Sequence, residues 1–140
     1  LEAAPVAEAP LSEAAGDIAQ RLRADGHLVL ERLEFETGTS HLGPGPYATL
    51  ERLAELLTAE PALRIALVGH TDAVGGLEDN IALSRKRAEA VRQWLIDGHG
   101  VASDRLEARG AGYLAPRASN LTEAGREANR RVEAVLLNTE

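Results

Sequence analysis

The chain has 140 residues, 44% of them hydrophobic, which is enough for one folded domain and too little for a second. A formal charge of −7 and an aromatic content of 3% argue against a nucleic-acid partner, which calls for a basic surface and stacking side chains. The absence of cysteine excludes disulfides, thiol catalysis and cysteine-held metal.

Charge is unevenly spread. Positions 1–80 hold 14 acidic and 5 basic residues, whereas 81–140 hold 8 and 10. All the cations but Lys86 are arginines, whose planar forks suit carboxylate recognition. No stretch approaches the roughly 18 apolar residues of a membrane span, and no signal-peptide pattern is present. With no methionine at all, the chain is expected to be a processed or truncated product, its targeting or anchoring segment lying elsewhere.

Residues 1–11, rich in Ala, Pro and Glu, read as a tether, and residues 12–140 as the domain. Leu11, Ala15, Ile18 and Leu22 recur at helical spacing, with Ser12 as N-cap and Gly26 as terminator, predicting a helix over 12–25. A strand over 28–35 follows, then a loop rich in glycine and proline, including Gly43-Pro-Gly-Pro46. Tyr47, Leu50, Leu53, Ala54 and Leu57 mark a helix over 46–59, and Arg64 to Gly69 a buried strand. A long helix over 78–97, a strand over 105–109, a short helix over 122–128 capped by Thr122 and a last strand over 131–137 complete the series. Crossovers of this length favour parallel neighbours, while the last strand is free to return antiparallel. The result is an α/β sandwich of helices on a mixed sheet.

Ligands of such sheets lie beyond the carboxyl ends of strands, here Glu36-Thr37-Gly38 and His70-Thr71-Asp72. On the long helix, Arg87 and Asn80 fall within the apolar stripe of Leu83, Val91, Trp94 and Leu95. A cation in such a stripe must be paired, hydrogen-bonded or wetted. Two arrangements with Asp72 are open. The pair can bond to each other, or stand apart and hold a zwitterion, Asp72 taking an ammonium and Arg87 a carboxylate. The histidines at 27, 41, 70 and 99 lack metal-ligand spacing, and Ser84 with His70 and Asp72 lacks a nucleophile elbow and an oxyanion loop. Arg126, Arg130 and Arg131 read first as a solvated helix end. The sharper reading has one of them buttress the acidic loops.

The run LVGHTDAVGGLEDNIALSRKRAEAVRQWL, then GVASDRLEARGAGYLAP, then N-x-T-x-x-G-R-x-x-N-R-R-V-E, resembles the OmpA C-terminal-like family. That family takes in the peptidoglycan-associated lipoprotein and MotB, and the likeness spans roughly Leu28 to Leu137. It implies a two-layer β-α-β-α-β-β sandwich, a mixed sheet with helices on one face, to which the N-terminal helix is added. It also implies non-covalent, non-enzymatic binding of peptidoglycan through the diaminopimelate of the stem peptide. The acid of the family's T-D motif, Thr71-Asp72 here, then engages the ligand's ammonium. The arginine of N-x-x-L-S-x-x-R-A, Arg87 here, engages its carboxylate. Asn80 and Leu83 belong to the same motif, Phe35 to Thr37 line the opposite wall, and Arg130 and Arg131 stand as framework or rim positions.

The expected role is therefore a periplasmic module tethering an envelope component to the cell wall, with no cofactor, no metal and no nucleic acid. Contact with a membrane would run only through a segment outside this chain. The competing readings are a protein–protein or dimerisation module of an envelope or motor complex, which an exposed apolar patch away from Asp72 would favour, and a cell-wall enzyme using Asp72 and His70.

Overall fold

A computed structural model describes residues 11–36 and 38–140. In chain order these form α1 (Glu13–Asp25), β1 (His27–Val29), α2 (Ala48–Ala59), β2 (Ile65–His70), α3 (Leu77–His99), β3 (Leu106–Gly110), α4 (Glu123–Asn129) and β4 (Arg131–Leu136). Most of the expected tether lies outside the described residues.

Local chemistry explains the helix ends. The Ser12 hydroxyl accepts from the Ala15 amide at 3.2 Å, and Gly26, at φ +82°, donates its amide to the Leu22 carbonyl at 2.8 Å. Thr122 caps α4 by accepting from Gly125. α3 continues through Gly98 to His99 and stops at Gly100 in the left-handed conformation, so it outlasts the predicted helix at both ends.

The sheet has the order β1-β4-β2-β3. β2 and β3 run parallel, as the crossover through α3 leads one to expect, whereas β4 is antiparallel to both β1 and β2. β1 and β2 share a direction but are not neighbours, because β4 enters between them. This is the mixed α/β sandwich foreseen from the sequence.

β1 is much shorter than the predicted strand over 28–35. One further ladder bond continues it, Leu30 amide to Val132 carbonyl at 2.9 Å. Arg32 then adopts φ +62°, uncommon for a residue with a side chain, and ends the pairing. The segment beyond crosses towards α3, with Phe35 bridged to Leu42.

Leu, Ile, Val and Ala fill the core, as the scarcity of aromatics requires: Leu22, Leu50, Leu53, Leu57, Ile65, Leu67, Val91, Leu95 and Ala134 are fully or almost fully buried. Strand alternation divides β2 between two faces. Ile65, Leu67 and Gly69 look towards the helices, and Ala66, Val68 and His70 towards the other side. At Gly69 a Cβ would stand 2.0 Å from the Ser84 carbonyl oxygen, and at Gly110 one would stand 2.5 Å from that of Ile81. The backbone of α3 therefore rests directly on the backbones of β2 and β3. At the same end of the sheet the buried Asn129 ties α4 to the preceding loop. Its Oδ1 accepts from the amides of Arg117 (2.8 Å) and Ala118 (3.0 Å), and its Nδ2 donates to the Ala118 carbonyl and to Oδ1 of Asn120, both at 2.9 Å.

Candidate functional site

Beyond the carboxyl end of β2 lies a cavity of about 630 Å³ whose lining includes Phe35, Thr71, Asp72, Asn80, Leu83 and Arg87. The structure thus gathers the predicted site residues around one space. Thr37 lies outside the described residues. Leu33 and Gly38 complete the far wall, and the stretch from Gly43 to Pro46 takes no part in it.

Asp72 sits on the loop joining β2 to α3. Its Oδ1 accepts from the Val74 amide at 2.9 Å and its Oδ2 from Nη1 of Arg130 at 2.5 Å. Burial pushes its carboxyl up, but the Val74 N–H and the Arg130 guanidinium outweigh burial and hold it below the ordinary aspartate value. Thr71 is buried beneath, its amide donating to Gly112 and its hydroxyl to the Asp72 carbonyl, both at 2.8 Å. Asn80 supports the same loop from the first turns of α3, donating through Nδ2 to the carbonyls of Val74 (2.9 Å) and Gly76 (3.0 Å). Its role in the free protein is to shape the loop.

Arg87 faces Asp72 across the cavity without bonding to it. Its Nε donates to the Thr39 carbonyl at 2.8 Å, and its Cζ lies 5.1 Å from the centre of the Phe35 ring, a cation–π arrangement. Both Nη groups have no protein partner among the described residues. Burial and the nearby charge of Arg130 lower its pKa, with Asp72 opposing them. The centre of the buried stripe on α3 is Asn80, Ser84, Ala88, Val91 and Leu95, which places Arg87 at its edge, where a half-buried guanidinium can reach the cavity.

The sequence reading placed Arg130 first on a solvated helix end and, by resemblance, at a framework or rim position; the structure has it buttress the Asp72 loop, the sharper of the two arrangements the sequence left open. Besides Asp72 it donates to Glu123 (2.6 Å) and Glu127 (2.7 Å), and these carboxylates raise its pKa. The N-R-R-V-E run marks this residue as special, but only the close of a 58-residue loop brings it to Asp72.

His70 and Ser84 play no joint part. The Ser84 hydroxyl donates to the Ile81 carbonyl and accepts from the Gly112 amide on the helix side of the sheet. His70 lies on the other side, 8% exposed, with Nε2 3.8 Å from a Glu133 oxygen that also accepts from Nε of Arg131 at 2.5 Å. Burial first, and then Arg131, push the imidazole down to about 4 against the opposing pull of Glu133. Among the described residues no group of three or more His, Asp or Glu side chains could hold a metal ion.

An acid and an arginine thus stand apart across one cavity on a mixed α/β sandwich. The chain belongs to the OmpA family, which matches residues 34–130. It is 41% identical over 102 residues to Outer membrane porin F of Pseudomonas fluorescens, covering 73% of this chain and 31% of the porin. It is 40% identical over 104 residues to Peptidoglycan-binding protein ArfA of Mycobacterium tuberculosis, covering 74% and 32%. The chain thus spans about a third of the length of these curated relatives. The crystal structure of the peptidoglycan-associated lipoprotein from Burkholderia pseudomallei superposes with a TM-score of 0.67 at 33% identity, over 81% of this chain and 91% of that one. The family is one of non-enzymatic structural and anchoring domains, in keeping with the sequence reading.

Proposed function

We propose that this domain binds peptidoglycan non-covalently by gripping the free amino-carboxylate end of diaminopimelate in the stem peptide, and so anchors an envelope component to the cell wall from the periplasm. The observation that carries this reading is that Arg87 faces Asp72 across a cavity of about 630 Å³ without bonding to it. A zwitterion fits such a space: its carboxylate meets the two Nη groups of Arg87, its ammonium shares Asp72 with Arg130, and its methylenes lie on Leu33, Phe35 and Leu83. The names of two similar proteins, a peptidoglycan-binding protein and a peptidoglycan-associated lipoprotein, support the ligand class.

A protein-docking role has less behind it. Among the described residues, the exposed large apolar side chains are Val74, Leu114 and Leu121. Val74 is two residues from Asp72, and Leu121 adjoins Asn120, which accepts from the Ala73 amide. Of the three, Val74 lines the cavity itself.

Sedimentation with purified sacculi tests the proposal. Asp72→Ala and Arg87→Ala are each expected to abolish pelleting while the circular dichroism spectrum is retained. Leaving one member of a desolvated charge pair unmatched costs on the order of 2–5 kcal/mol. Normal pelleting by both variants would refute the clamp.

A further inference from the structure

A second cleft, of about 350 Å³, opens on the far side of the wall formed by Phe35, Arg87 and Arg130, which line both spaces. Five guanidiniums border it: Arg32, Arg87, Arg117, Arg130 and Arg131. Two are already answered, Arg130 by Asp72, Glu123 and Glu127, and Arg131 by Glu133. Arg32, Arg87 and Arg117 have no ion-pair partner among the described residues. The acids in the lining are Glu31 and Glu127, and Glu127 is committed to Arg130. The buried His70 also borders the cleft, and its Nδ1 has no hydrogen-bond partner. His70 stays uncharged at neutral pH, so the excess of positive charge is guanidinium alone. In a chain of net charge −7, a cavity with surplus arginine is a local inversion, and guanidiniums with no internal partner are suited to a carboxylate brought from outside.

The geometry points to an anion subsite in this cleft, in which Arg32 and Arg117 take a second carboxylate of the peptide whose diaminopimelate occupies the first cavity. This rests on the clamp reading above and extends it from a single amino acid to a peptide. Two carboxylates satisfy the chemistry: the free α-carboxylate of a γ-linked glutamyl residue on the amino side of diaminopimelate, or the terminal carboxylate of a residue on its carboxyl side. Arg32 is the one described non-glycine residue at positive φ, and its turn is what brings it to the cleft wall.

Calorimetric titration with synthetic peptides tests this. The probes are meso-diaminopimelate, L-alanyl-γ-D-glutamyl-meso-diaminopimelate, its glutamyl carboxamide, and the carboxamide peptide extended by D-alanine. Wild type is expected to bind either the acid tripeptide, or the D-alanine-extended peptide, about three- to tenfold more tightly than the carboxamide tripeptide, the range for two partly exposed charge pairs. Which of the two gains identifies the carboxylate. The gain should vanish in the double variant Arg32→Gln/Arg117→Gln, both exposed positions, with the affinity for free diaminopimelate unchanged. It should also shrink as salt rises. Equal affinities for all three peptides in wild type, or a gain that survives the double variant, would overturn the subsite and leave the clamp standing. Failure of wild type to bind any probe would overturn both.

Discussion

Arg130 donates from Nη1 to Oδ2 of Asp72 at 2.5 Å and through Nη2 to Glu123 and Glu127, so the acid proposed to meet a ligand's ammonium already has a cation on one oxygen. The free protein thereby keeps Asp72 ionised and aimed without leaving a bare charge in a partly buried position. An incoming ammonium would join this network instead of meeting an isolated carboxylate.

Removing that guanidinium should be visible in the titration of the acid it holds. In Arg130→Gln, the Asp72 carboxyl should titrate at higher pH than in wild type, because only the Val74 amide and the weaker pull of the Arg126 charge are left to oppose burial. Carboxyl-carbon chemical shifts followed against pH would measure this. Titration at the wild-type value would mean that the Val74 amide and Arg126 suffice to set it.

A charge-conserving change at Arg87 separates charge from shape. Lysine keeps the cation but loses the planar fork, the bond from Nε to the Thr39 carbonyl and the face-on approach to Phe35. Arg87→Lys should weaken diaminopimelate binding by about tenfold or more, roughly 1.4 kcal/mol, in calorimetric titration. Wild-type affinity in this variant would show that a point charge suffices.

Stability should depend on pH through His70 in a window distinct from that of the carboxylates. Its pKa is about 4 in the folded protein against an ordinary 6.5, so between these values the unfolded chain binds the extra proton. Stability from this group is therefore complete above pH 6.5 and falls as the pH drops towards 4, by up to about 3 kcal/mol. Urea unfolding of wild type and His70→Gln across this range should show the slope in the first and a flatter profile in the second. Asp72 and Glu133, whose folded pKa values are lowered, act further down. Their contribution is present above their ordinary values of 3.8 and 4.5 and is lost as the pH falls through the depressed ones.

Gly69→Ala should be among the most damaging small substitutions in the domain. The added methyl would lie 2.0 Å from the Ser84 carbonyl oxygen, a backbone atom in the middle of α3 that cannot move aside as a side-chain tip can. A loss of about 2 kcal/mol or more in chemical denaturation is expected, the upper part of the range for overpacking. A change below about 0.5 kcal/mol would mean that the helix can lift from the strands at little cost.

Much of this was legible in the sequence because it is written locally. Ser12, Gly26 and Thr122 announce helix ends through their own capping chemistry, and the spacing of Asn80, Val91 and Leu95 orients α3 closely enough to single out Arg87. Thr71 and Asp72 followed from their place after a buried strand. What escaped depends on distant pairing. Nothing in the run from Leu28 to Phe35 says that Arg32 will take a left-handed turn and cut the strand to three residues, since its apolar content suits either outcome. The entry of β4 between β1 and β2 is set by register across more than sixty residues, as in the pairing of Ile65 with Leu136. The contact of Arg130 with Asp72 follows from that insertion, and so was invisible to periodicity.

The seating of α3 on the strands through Gly69 and Gly110 has a consequence for how the domain can vary. Asp72 leaves from β2 and Arg87 projects from α3 one turn after Ser84, so the gap between them is fixed by main chain resting on main chain. Repacking the leucines elsewhere would alter how much heat the molecule withstands while leaving that gap as it was. The domain behaves as a gauge of set width, whose endurance and whose choice of guest can drift independently.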